Sequence, residues 1–100
     1  MDFGLEDKTI AKITEIFFLF PEIENAILFG SRAKGNFKNG SDIDIALRGK
    51  GVSLELLTKI NSKLDDLSLP YTIDLSIFSF IDNPDLIDHI ERIGKIFFKR

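Results

Sequence analysis

One hundred residues, 44% of them hydrophobic and 29% charged, suit one globular domain with a modest core; ten Phe against one Tyr and no Trp make that core aromatic but mostly non-polar. A net charge of −3 argues against a domain that blankets nucleic-acid phosphates, so no direct nucleic-acid binding is expected, and the lack of cysteine excludes disulfides and thiolate chemistry. The N-terminus has no basic-then-apolar signal pattern and no apolar run approaches the ~18 residues of a membrane span, so a cytoplasmic protein with no membrane association is expected.

In chain order, Ile10, Ile13, Phe17 and Phe20 recur every three or four residues, which predicts an amphipathic helix over residues 5–20, capped by Asp7 and stopped by Pro21. Residues 26–29 form a continuous apolar run ending at Gly30, the pattern of a strand covered on both faces. A polar, glycine-punctuated segment leads to an Asn39-Gly40 turn. Residues 42–48 then alternate, with Ile43, Ile45 and Leu47 on one face and Asp42, Asp44 and Ala46 on the other.

Past Gly49-Lys50-Gly51, Ser53 caps a helix to about Leu67 whose inner face is Leu57, Ile60, Leu64 and Leu67. Residues 71–78 alternate again, Ile73, Leu75 and Ile77 against Thr72, Asp74 and Ser76, and predict a third strand. Asn83-Pro84 opens a last helix with the stripe Leu86, Ile87, Ile90 and Ile93 and a stop at Gly94. Residues 95–100 suit a short edge strand or an extension of that helix, the strand being preferred, and Phe97 and Phe98 suit the core or, as the alternative, an interface with a second chain. The resulting fold class is α/β (α+β), a small mixed β-sheet flanked by helices, in a single domain over residues 1–100.

Aspartate is a poor strand residue, so three in mid-strand positions ask for an explanation. Asp42 and Asp44 project from the same face with Cα atoms roughly 6.6 Å apart. Mg²⁺ takes hard oxygen ligands, commonly one or two carboxylates plus substrate phosphates, and paired ions serve to activate an attacking oxygen and stabilise a leaving one. Asp74 is the natural third carboxylate, provided its strand lies near that of Asp42 and Asp44. A merely solvated sheet face remains the alternative.

Gly30-Ser31, where a buried strand gives way to a short helix, has two readings. One is a simple turn glycine and helix-capping serine. The other is a phosphate site, in which glycine permits close backbone approach, the Ser31 hydroxyl donates, and Arg32 or Lys34 adds positive charge. The segment is no P-loop, because Asn36-Phe37 stands where Lys-Ser/Thr is required, and Asp42-Ile43-Asp44-Ile45 lacks the later ligands of a calcium loop. His89, the single histidine, lies beside Asp88 and is expected at the solvated surface.

Gly30-Ser31, ten intervening residues and then Asp42-Ile43-Asp44 together resemble the signature of the DNA polymerase β-like nucleotidyltransferase superfamily. The wording GSRAKG…SDIDIAL is especially similar to its minimal nucleotidyltransferase (MNT) members, which include MntA-type antitoxins, and Asp74 in YTIDLSIF matches the third carboxylate strand. The resemblance implies a nucleotidyltransferase fold and an enzyme that moves a nucleoside monophosphate, AMP from ATP, onto a hydroxyl of a partner protein. It implies that Gly30 and Ser31, with Arg32, bind the nucleoside triphosphate, and that Asp42, Asp44 and Asp74 are catalytic and hold two Mg²⁺ ions. The implied partner is a HEPN-domain protein encoded nearby, the toxin of a toxin–antitoxin pair. Two other readings stay open: an antitoxin that acts by contact alone, and the catalytic half of a split small-molecule nucleotidyltransferase, such as one modifying an aminoglycoside. Larger relatives complete the acceptor pocket with a further domain, so a second chain, or a second copy in a homo-oligomer, is expected to supply that wall.

Overall fold

The computed structural model describes residues 2–100. Its elements run α1 (Asp7–Phe18), β1 (Asn25–Phe29), α2 (Ser31–Lys34), β2 (Ile43–Arg48), α3 (Leu54–Asp65), β3 (Ile73–Ile77), a 3₁₀ turn (Phe78–Phe80), α4 (Pro84–Ile93) and β4 (Lys95–Lys99). The sheet order is β3-β2-β1-β4, with β1 antiparallel to both neighbours and β2 parallel to β3. A parallel pair needs a crossover, and α3 provides it.

The apolar run 26–29 is β1, flanked by β2 and β4 and buried from Ala26 to Leu28, as a strand covered on both faces should be. On one face, Ile43, Ile45 and Leu47 of β2 meet Ile13 and Phe17 of α1 and Leu56, Ile60 and Leu64 of α3 in the main core. On the other, a smaller cluster joins Ile27, Ala46 and Ile90, which places α4 over the side of the sheet that bears the even-numbered residues of β2. Ser53 caps α3 by accepting the Leu56 N–H, and Asn83 caps α4 by accepting those of Asp85 and Leu86.

Several boundaries depart from the pattern-based expectation. Glu6, without a side-chain bond, takes the N-cap of α1 in place of Asp7, and the helix ends at Phe18, leaving Phe20 in the turn before Pro21. Helix α3 ends at Asp65, and Leu56 is more deeply buried than Leu57. The third strand starts at Ile73, and Phe78 belongs to the 3₁₀ turn that redirects the chain into α4.

The last segment is a strand, at the sheet edge. Its pairing skips one residue, since Ala26 faces Phe98 while Ile27 faces Ile96, so Phe97 is the extra residue of a β-bulge. The bulge lets two consecutive phenylalanines turn inward, where both rings pack near Phe17. Beyond it, Arg100 donates to the carbonyls of Phe17, Phe18, Phe20 and Ile23, closing the carbonyl end of α1. No helix among the described residues is long and apolar enough to cross a membrane.

Candidate functional site

The parallel register places Asp44 of β2 directly beside Asp74 of β3, on strands that neighbour at roughly 4.8 Å. Asp42, two residues before Asp44, precedes the strand proper. On the other side of Asp44, the antiparallel register pairs it with Phe29, the last residue of β1, so Gly30 follows immediately. The three carboxylates and the Gly-Ser turn therefore meet at one end of the sheet, on the α4 side.

Gly30 is required there for two reasons. Its φ of 77° lies in the region that side chains disfavour, and a Cβ would run into Oδ2 of Asp44. Ser31 follows as the first residue of α2, a single helical turn closed by Gly35.

Among the described residues, no side-chain cation forms an ion pair with these carboxylates. The ion pairs found among the described residues, Lys8–Glu6 and Arg92–Asp88, lie elsewhere. Burial raises the carboxyl of Asp44 above its ordinary value, and the charges of Asp74 and Asp42 push the same way. Neighbouring His89 opposes this to the extent that it is charged. Repulsion among hard oxygen donors with no neutralising side chain fits a divalent cation such as Mg²⁺. No group of three or more His, Cys, Asp or Glu side chains that could hold a metal ion by itself is found among the described residues.

Arg32 does not face the site. It is only 3% exposed; Nε and Nη2 donate to the Ser41 carbonyl, Nη1 donates to the Phe3 carbonyl, and the guanidinium lies 5.0 Å from the ring centres of both Phe37 and Tyr71. The expectation that it binds a phosphate is corrected: its donors are engaged inward, tying the N-terminal arm to the loop that delivers Asp42. Lys34, two residues on, is exposed.

His89 departs from its expected solvated position in the opposite direction. It is half-buried, its Nε2 accepts the Gly30 N–H at 3.0 Å, and its ring stands edge-on to Phe29. The signal was present in the spacing, because Leu86, His89 and Ile93 recur three and four apart and so put position 89 on the flank of the inner stripe of α4.

A family model described as polymerase beta, nucleotidyltransferase, matches residues 11–100. No curated protein matches the sequence. Among solved structures, a toxin–antitoxin crystallised with AMP-PNP is 24% identical, with 91% of this chain and 73% of that chain covered at a TM-score of 0.72. The complex of a tri-AMPylated HEPN toxin with its MNT antitoxin, from Shewanella oneidensis, is 22% identical over 96% of this chain and 74% of that one, with a TM-score of 0.62. A candidate nucleotidyltransferase from Sulfolobus solfataricus is 26% identical over 92% and 79%, at 0.56. The fold is thus that of the nucleotidyltransferases.

Proposed function

Because the chain belongs to the polymerase β nucleotidyltransferase family, we propose that it transfers AMP from ATP to a hydroxyl of a partner protein, a HEPN-domain toxin to which it is the antitoxin. The observation that carries the reading is the meeting of Asp42, Asp44 and Asp74 beside Gly30-Ser31, with no ion pair to them among the described residues. The likeness to a toxin–antitoxin holding AMP-PNP and to a complex with an AMPylated HEPN toxin supports the choice of nucleotide and of acceptor. The proposed place of work is the cytoplasm, where ATP is at hand.

In this mechanism Gly30 lets the backbone approach the triphosphate and the Ser31 hydroxyl donates to a phosphate oxygen. Asp42 and Asp44 would hold two Mg²⁺ ions, with Asp74 shared on the acceptor side. Bound there, such ions neutralise the charge that builds up on the phosphoryl group and lower the cost of ionising the acceptor. Asp74, exposed at the edge strand, is open to an incoming hydroxyl and takes its proton on a carboxylate oxygen. The acceptor oxygen forms a bond to the α-phosphorus as the bond to the bridging oxygen breaks, and pyrophosphate leaves. Positioning and charge neutralisation are the protein's main contributions to such a transfer.

The test is incubation with labelled ATP, Mg²⁺ and a HEPN partner. Label should pass to the partner, and Asp42→Asn/Asp44→Asn should cut the rate at least about 10³-fold, the scale of losing preorganised electrostatic stabilisation. Equal transfer by the double variant would reject the reading. If the variant still neutralises the toxin, the protein acts by contact alone.

A further inference from the structure

We infer that His89 is a positioning residue of the nucleotide loop, holding Gly30 in place from across the fold through the Gly30 N–H···Nε2 hydrogen bond. The inference rests on the proposed site but not on the identity of the acceptor.

Glycine at position 30 is needed to clear Asp44, yet glycine is also the residue least able to hold its own conformation. Something outside the turn has to fix it. The N–H of Gly30 is partly buried, and leaving such a donor unpaired costs about 1–3 kcal/mol. The histidine reaches it from α4, fifty-nine residues away in sequence, and is set in place by two neighbours. Ile90, next in the chain, is buried against Ile27 and Ala46 and anchors the helix. Phe29 presents its ring to the imidazole at 79°, with centroids 6.3 Å apart.

The direction of the bond also defines the state of the ring. To accept at Nε2, the imidazole must be neutral and carry its proton on Nδ1. His89 therefore engages the Gly30 N–H and leaves the Ser31 N–H and hydroxyl for a phosphate. If the bond is lost, the turn is free to relax, Ser31 shifts, and the space beside Asp44 that glycine keeps open is no longer defined. A misplacement of about 1 Å is enough to cost up to 10²-fold in a positioned reaction.

Two measurements on the full chain test this. Long-range proton–nitrogen NMR at about pH 8, where an ordinary imidazole is neutral, reads the tautomer of the one histidine directly. A proton on Nδ1 with Nε2 bare is expected; a proton on Nε2 overturns the inference, whether or not the protein transfers anything. The second is kinetic. His89→Leu, which removes the acceptor, should lower kcat/KM for ATP about 10–100-fold, whereas His89→Gln, which keeps an acceptor, should recover it to within about 3-fold of the parent. Equal losses in both variants, or none in His89→Leu, would overturn it. Absence of transfer by the parent protein would instead count against the proposed function, and the tautomer would still decide the role of His89.

Discussion

The two faces of the sheet are built to different standards. The face under α1 and α3 buries a continuous apolar layer, with Ile13, Phe17, Ile43, Ile45, Leu47 and Ile60 fully out of solvent. Among the described residues, the face under α4 buries only Ile27, Ala46 and Ile90, and its next residues along β2 and β3 are the carboxylates Asp44 and Asp74. A groove of about 410 Å³ lined by Ile27, Arg48, Phe78, Ile90, Glu91, Gly94 and Ile96 runs beside α4, so this side is loosely covered. One face supplies the stability that lets the other carry like charges side by side, the usual relation between a scaffold and a strained site.

The contrast can be tested by perturbing each face separately. Phe17→Ala, on the scaffold face, removes a ring packed against Phe97 and Phe98 and should cost about 3–5 kcal/mol in urea unfolding. A loss under about 1 kcal/mol would mean that the layer repacks freely and the contrast is overstated. Gly30→Ala, on the site face, should cost about 1–3 kcal/mol because the backbone is held at positive φ with Asp44 in the way. It should also lose nucleotide binding in calorimetry, which Phe17→Ala would not do below its melting temperature.

Smaller effects sharpen the comparison. Mg²⁺ at ten times its dissociation constant should add about 1.4 kcal/mol of stability, and Asp42→Asn/Asp44→Asn should abolish that increment in thermal melts. The smallest effect has the opposite sign from an ordinary mutation. Asp44 holds its proton to higher pH in the folded chain than in the unfolded one, so without metal the native state binds more protons between the ordinary and the raised value. Stability must then fall as pH rises through that window. Asp44→Asn should remove the decline and leave the protein more stable at neutral pH, by less than about 1 kcal/mol once solvent screening of these charges is allowed for. Urea unfolding of parent and variant between about pH 3 and pH 7 measures it.

Much of this was legible in the sequence because the local signals are strong. Alternation in 42–48, the caps at Ser53 and Asn83, and the glycine-ended run at 26–29 each dictate a local structure that tertiary packing does not override. The Gly-Ser and Asp-x-Asp pieces were legible for the same reason, since chemistry at fixed spacing survives without knowledge of the fold. Two side chains were not. A guanidinium beside a Gly-Ser turn suits phosphate contact, which is why Arg32 is expected there, but the carbonyls of Phe3 and Ser41 that take its donors come from segments whose approach no local pattern announces. His89 was read as solvated because its partner Gly30 lies on a different element, and only the placement of α4 over β1 brings the two together. Both misses are of one kind: a polar side chain whose partner is a backbone group far away in the chain.

The position of β4 has a consequence for how the molecule comes into being. The strand completes the sheet beside β1, pairing Asn25 with Lys99, and Arg100 closes the end of α1. β4 follows β1 in the chain only after β2, α3, β3 and α4, and until it docks one edge of β1 stays open. An apolar strand with a bare edge is a template for mispairing. Contacts between segments far apart in the chain also make folding slow. The folding chain therefore passes through an aggregation-exposed interval that the docking of β4 ends.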